Sequence, residues 1–167
     1  MADTDTTLSA DEAIDSIWKL AKSIDFCMFV TWDGTRQRAR PLSARPNRDE
    51  GRIYFLTDVH GAKDEQIEKF PKVTLAFADV HAHDYVVITG DATVSDDRAK
   101  IAELWTSADE AWWDSAEDTA IRVIAVDPHD AELWKGPNRV VAGAKLLFAA
   151  VTGAKVEFGE NRKVSHL

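Results

Sequence analysis

Arg40-Pro41-Leu42-Ser43-Ala44-Arg45, followed after a short charged turn by Ile53-Tyr54-Phe55-Leu56 and then Thr57-Asp58-Val59-His60-Gly61-Ala62-Lys63, is the stretch whose reading decides the fold. An arginine-bearing strand is followed by an apolar strand, which breaks into a Gly-containing turn and a helix opening on lysine. That order can gather cations, hydroxyls and free backbone N–H groups around one phosphate. The first N–H groups of a helix lack partners and sit at the positive end of its dipole. Arginine adds a rigid fork of donors suited to phosphate oxygens.

Working outward, the segments on either side read as strands joined by short turns. Ser9-Ala10-Asp11-Glu12 is a capping box that opens a helix to about Ser23, and Ile14, Ile17, Trp18 and Ala21 give it one apolar face. Phe26 to Trp32 is β-rich, and Asp33-Gly34 signals a hairpin turn into a return strand, Arg36 to Arg45. The two-residue period puts Arg36, Arg38 and Arg40 on one face, and Pro41 marks an edge or bulge. Gly51 to Leu56 follows as a strand, Gly61 to Phe70 as a helix stopped by Pro71, and Val73 to Ala78 and Tyr85 to Val94 as strands. Asp96 or Asp97 caps a helix running to Trp105, Thr119 to Val126 is a strand ended by Asp127-Pro128, and Ala131 to Trp134 is a short last strand. Short turns favour antiparallel pairing. The expected fold is mainly β (α+β): a six-stranded antiparallel barrel with peripheral helices, rather than a doubly wound sheet.

Composition bounds the function classes. The chain has 167 residues, enough for one domain with a full core, and its hydrophobic fraction of 45% is that of a globular protein. A net charge of −9 argues against a dedicated nucleic-acid binder but leaves room for a local basic site. The single cysteine, Cys27, lies in an apolar run and reads as a small core residue. The N-terminus lacks signal-peptide character and no stretch reaches transmembrane length, so no membrane partner and a cytoplasmic location are expected. Residues 1–8 read as a disordered tail, 9–152 as the domain and 153–167 as a polar C-terminal tail; residues 138–152 favour helix.

Three blocks carry a resemblance: Arg40-Pro41-Leu42, Phe55-Leu56-Thr57-Asp58 through Lys63, and Tyr85-Val86-Val87-Ile88-Thr89-Gly90. Between them, Glu68-Lys69-Phe70-Pro71-Lys72-Val73 is similar to a helix-ending E-x-x-P-x-V segment. In this order they resemble the FMN-binding split barrels of the pyridoxamine 5'-phosphate oxidase group, and within it the bacterial general stress proteins. The resemblance implies a homodimer with FMN in clefts at the subunit interface. It implies that Lys63 and Arg40 contact the flavin phosphate, with Arg45 as the second basic position. It implies that Thr57 lies against the flavin, with backbone contacts from the Leu56-Thr57-Asp58 stretch. Tyr85 departs from the family's oxidase, which has a glutamine there against the flavin. Trp105 matches a Leu-Trp of similar stress proteins and is a further candidate. Trp112, Trp113 and Trp134 are candidates for a dimer interface.

Other chemistry is not signalled. His81-Ala82-His83-Asp84 reads as a solvated loop rather than a metal site. No Ser-His-Asp arrangement, phosphate-binding Walker loop or G-x-G-x-x-G is present, and no residue stands out as a nucleophile or proton donor. Three functions stay open at this stage. They are a flavin-dependent oxidoreductase acting on a small molecule or NAD(P)H; a flavin-binding stress or sensor protein without turnover; and a relative binding deazaflavin or haem.

Overall fold

A computed structural model of the chain describes residues 8–136 and 160–167. All but Leu8 of the tail expected over residues 1–8, and the helix expected over 138–152, lie outside the described residues. Three helices, α1 (Ala10–Ile24), α2 (Lys63–Lys69) and α3 (Arg98–Leu104), surround one antiparallel sheet. Its strands are β1 (Phe26–Trp32), β2 (Gln37–Ser43), β3 (Arg45–Asn47), β4 (Arg52–Asp58), β5 (Lys72–Asp79), β6 (Asp84–Ser95), β7 (Ile121–Lys135) and β8 (Glu160–Ser165). None of the described helices is long and apolar enough to cross a membrane.

The sheet runs in the order β2-β1-β5-β6-β7-β4-β3. Its first and last strands, β2 and β3, are consecutive in the chain and separated only by Ala44, whose N–H is held by the Asp25 carbonyl at 2.8 Å. One residue therefore joins the two ends of the path, and the sheet must curl on itself. Phe29 of β1 and Phe55 of β4 meet edge-to-face across the interior, with ring centroids 5.1 Å apart. Around them Ile53, Leu75, Phe77, Ile88 and Leu133 fill the barrel, and α1 inserts Ile17 and Trp18 beneath it. The predicted capping box of α1 is present, with both Ser9 and Glu12 engaged. Cys27 is buried in this core, and burial pushes its thiol up to about 12, which makes it inert.

The strand β4 is buried on both faces. Ile53 and Phe55 point into the barrel, while Tyr54 and Leu56 belong to a second cluster under α3 with Ile101, Ile121 and Val123. This accounts for the unbroken apolar run that the sequence shows there.

Two details of the expected β pattern are corrected. Asp127-Pro128 does not end a strand, because β7 continues through it to Lys135. The register against β6 shifts between Thr89 and Gly90, so Pro128 sits at a bulge, where a missing N–H is tolerated. In addition, the polar stretch read as a tail contributes β8, which pairs with Asp130–Lys135 while the first half of β7 pairs with β4. The barrel is thus split along β7. The bulge depends on Gly90: a Cβ there would stand 2.3 Å from the Asp127 carbonyl oxygen and 3.0 Å from Pro128 Cα. Gly90→Ala is expected to cost roughly 1–3 kcal/mol through this overpacking, measured as a lower denaturation midpoint.

Candidate functional site

The three arginines expected on one strand face have different fates: Arg38 and Arg40 lie in β2, while Arg36 lies in the turn before it. The hairpin carboxylate of Asp33 binds Arg38 at 2.6 Å and lies 3.9 Å from Arg36. Hydrogen bonds from the Thr35 hydroxyl and N–H, the Arg36 N–H and Arg38 hold that carboxyl well below the usual range. Arg40 is left without a carboxylate partner among the described residues. It stands opposite Phe29 in the β1–β2 ladder, on the inward side of its strand. Its Nη2 donates to Thr31 Oγ1 and to Gln66 Oε1, both at 3.1 Å, and the Thr31 hydroxyl itself donates to Gln66 at 2.6 Å. Two neutral acceptors therefore aim the guanidinium without neutralising it. Its Nη1 is buried and has no hydrogen-bond partner among the described residues.

Lys63 opens α2 beside it. Neither Arg40 nor Lys63 is in an ion pair among the described residues. Burial lowers the Lys63 ammonium below its ordinary value, and repulsion from Arg40 adds to this. Burial also lowers Arg40, with a contribution from Arg38. Two half-buried like charges this close are unfavourable in isolation. A buried guanidinium N–H without an acceptor adds to the cost. A dianionic phosphate would relieve both penalties, so the donor set fits such a group. The neighbouring Asp64 makes no ion pair with Lys63: its Oδ1 is buried without a hydrogen-bond partner among the described residues, and burial raises its carboxyl above the usual range while Lys63 pulls it down. The helix contributes less than the sequence implies, because α2 has only seven residues and its N-cap, Ala62, makes no side-chain cap.

A cleft of about 220 Å³ is bordered not by these two cations but by Pro41, the residue after Arg40, and by Asp58, whose charge acts on Lys63. One wall is Pro41, Leu42 and Ser43 of β2, and the facing wall is Leu56, Thr57 and Asp58 of β4. Phe26, Trp112 and Trp113 make its edge aromatic, and Arg45 and Asp109 also border it. Thr57 is buried at 4% exposure. Asp58 accepts from the His60 N–H at 2.7 Å, which is turn chemistry, while its chain neighbours line the cleft.

Most of the sequence-predicted site residues converge here. Arg40 and Lys63 come together, and Leu56, Thr57, Asp58 and Arg45 line the cleft. Arg45 is not a free cation, since its Nη2 is ion-paired with buried Asp109. The Ala44 break lets Arg40 and Arg45 both approach the region despite opposite strand parity. Trp105 lies behind the cleft, with its ring 6.4 Å from Trp113 in the α3 cluster. Tyr85 is 38% exposed at the start of β6, paired with Ala78 and Trp134, and does not border the cleft. Sequence reasoning missed Thr31, Gln66 and Asp109. Their contacts span 26 to 64 residues except for Thr31, which is nine from Arg40 and stands opposite Arg38 in the β1–β2 ladder.

Comparison with known proteins agrees with this architecture. A candidate general stress protein 26 from Jannaschia sp. CCS1 superposes with a TM-score of 0.77 at 20% identity, covering 94% of this chain and 99% of that one. The general stress FMN/FAD binding protein from Xanthomonas citri superposes with a TM-score of 0.66 at 25% identity, covering 74% and 89%. General stress protein 26 from Bacillus subtilis (strain 168) is 25% identical over 101 residues, which is 56% of this chain and 69% of that protein. The family model described as pyridoxamine 5'-phosphate oxidase like matches residues 12–157, and the chain belongs to that family.

Proposed function

We propose that this chain binds FMN and acts as a flavin-dependent oxidoreductase on a small molecule. The observation that carries the reading is the unneutralised pair Arg40 and Lys63, with the orphaned Nη1 of Arg40, beside a cleft of mixed apolar and hydroxyl lining. Arg40 and Lys63 would hold the phosphate, Thr31 and Gln66 would keep Arg40 aimed, and Thr57 with the backbone around it would meet the ring system. The bound flavin would supply the electron-transfer chemistry, while the chain supplies binding, orientation and charge. The FMN/FAD binding named for the Xanthomonas citri relative supports the same reading. Purified protein incubated with FMN and desalted should keep a flavin visible spectrum. A colourless, folded protein would exclude the FMN reading. Bleaching of the bound flavin by NADPH or NADH under anaerobic conditions would distinguish turnover from storage.

The same reading includes a homodimer with the cleft at its interface. On β1 the outward side chains Phe26, Met28 and Trp32 are 55%, 43% and 40% exposed. They form an apolar stripe, and Phe26 belongs to both the stripe and the cleft. A second copy covering the stripe would close the open side of the cleft. Met28→Asp is expected to shift the protein from dimer to monomer in sedimentation velocity and to weaken flavin retention with it. A variant that stays dimeric would place the interface elsewhere.

A further inference from the structure

Asp109 carries a carboxylate in the protein interior. It is 4% exposed, and carboxylates are almost never buried unless paired. It sits in the 3-10 turn Ser107–Ala111, and every one of its polar atoms is used. Its side chain accepts from the Thr106 N–H at 2.8 Å, from the Thr106 hydroxyl at 3.0 Å, and from Arg45 of β3. Its backbone carbonyl accepts the N–H groups of Trp112 at 2.9 Å and Trp113 at 3.1 Å. A single residue thus ties two tryptophans to the barrel wall. Trp113 is anchored further by the cluster beneath α3. Trp112 is 75% exposed, yet it borders the cleft.

The cleft's size bears on what Trp112 is for. At about 220 Å³ the cleft is smaller than the usual small-molecule pocket of ~300–1,000 Å³. It would therefore hold only part of a ligand, with the anionic part left for Arg40 and Lys63 outside its lining. A flat ring system is the group that suits walls of proline, leucine and tryptophan.

We infer that Trp112 is a ring-contacting residue of the cleft, and that Asp109 is a positioning residue that sets it there through Arg45 and the Asp109 carbonyl. The ligand class is a planar fused heterocycle linked to a phosphate. This rests on the FMN reading given above, in which the ring would be the flavin's, and it adds the residues that hold the ring.

The test measures dissociation constants for FMN and for riboflavin, which has the ring but no phosphate, together with the visible circular dichroism of the bound flavin. Trp112→Ala should weaken both ligands by the same factor, roughly three- to tenfold as for one aromatic contact, and reduce the dichroic band. Trp112→Phe should restore most of the affinity. Asp109→Asn should reproduce the loss and add little in a Trp112→Ala background, because both changes act on one contact. Exposed Trp112 can be truncated without unfolding the chain, so its variants decide the matter even if Asp109→Asn misfolds. Unchanged affinity and dichroism in Trp112→Ala would overturn the inference while leaving the FMN reading intact. A Trp112→Ala variant that becomes monomeric and loses flavin only for that reason would also overturn it. Wild-type protein that binds neither ligand would overturn both readings.

Discussion

The Arg40→Ala/Lys63→Ala double variant is expected to lose FMN but keep its fold. Hydrogen bonds to charged groups contribute about 1.5–3 kcal/mol each, so removing both cations should weaken FMN by roughly two to four orders of magnitude. Riboflavin should lose little if, as proposed, the cations hold the phosphate and not the ring. That contrast is what identifies a phosphate site. Equal losses for the two ligands would mean that the variant has damaged the cleft itself, and an unchanged FMN affinity would sink the assignment. The free protein should respond in the opposite sense. Arg40 repels Lys63, both are half-buried, and neither is in an ion pair among the described residues, although Asp64 and Asp58 offset part of the repulsion on Lys63. Replacing Lys63 with methionine should therefore raise the denaturation midpoint of the ligand-free protein while weakening FMN. A stabilising substitution that impairs binding marks a group kept for function rather than for folding.

The same electrostatics fix a pH dependence. The Lys63 ammonium lies below 10.5 in the folded, ligand-free protein because of burial first and Arg40 second. Its unfolded counterpart titrates near 10.5, so between the lowered value and 10.5 the unfolded chain binds more protons and stability rises with pH. Bound phosphate would favour the charged lysine and reverse the shift. FMN affinity should then decline as pH climbs through the lowered value, before 10.5 is reached. Lys63→Arg should abolish that decline, because arginine stays charged. A wild-type affinity flat up to pH 10.5 would show that Lys63 does not hold the anion.

How much of this could be read from the sequence depended on the range of the contacts involved. Local patterns were legible. The Ser9 capping box, the Asp33-Gly34 hairpin and the order of arginine strand, apolar strand and lysine-bearing helix all place their elements correctly. The site cations were legible because their spacing follows from that order. What stayed hidden is long-range. Arg45 reads as a free cation until Asp109, 64 residues on, is brought against it by the turn after α3. Arg36, Arg38 and Arg40 are equivalent by strand period, and only the fold of the Asp33 turn shows which of them is left unpaired. Asp127-Pro128 looks like a strand end because proline lacks an N–H, but Gly90 across the ladder makes room for a bulge instead. Strand β8 was missed because Glu160-Asn161-Arg162-Lys163 is polar: it lies on an edge of the sheet and buries only Val164 among its described side chains.

The largest stability effect should come from Phe29 and Phe55. They lie on strands near opposite ends of the sheet path, yet their rings touch at 5.1 Å with an interplanar angle of 81°. The pair exists only because the barrel is closed, and both rings are fully buried. Either residue replaced by alanine should lose about 3–5 kcal/mol from lost transfer energy and the cavity left behind. At the scale expected for a chain of this size that is a fall of roughly 6–20 °C in Tm. A double-mutant cycle should then give about 0.5–1.5 kcal/mol of coupling, the edge-to-face contribution beyond burial. Additive losses would mean that the rings are buried independently and the closure is held elsewhere, at the Ala44 crossing or under α1. The two substitutions should also differ in function. Phe29 stands opposite Arg40 in the β1–β2 ladder, one step from Thr31, Arg40's hydroxyl acceptor. A cavity at Phe29 would loosen the wall that aims the guanidinium, so Phe29→Ala should weaken FMN below the temperature at which it unfolds. Phe55 lies between Tyr54 and Leu56 in a strand clamped on both faces. Its truncation should therefore lower Tm with a smaller effect on binding, and the comparison separates the barrel as a scaffold from the barrel as the mould of the site.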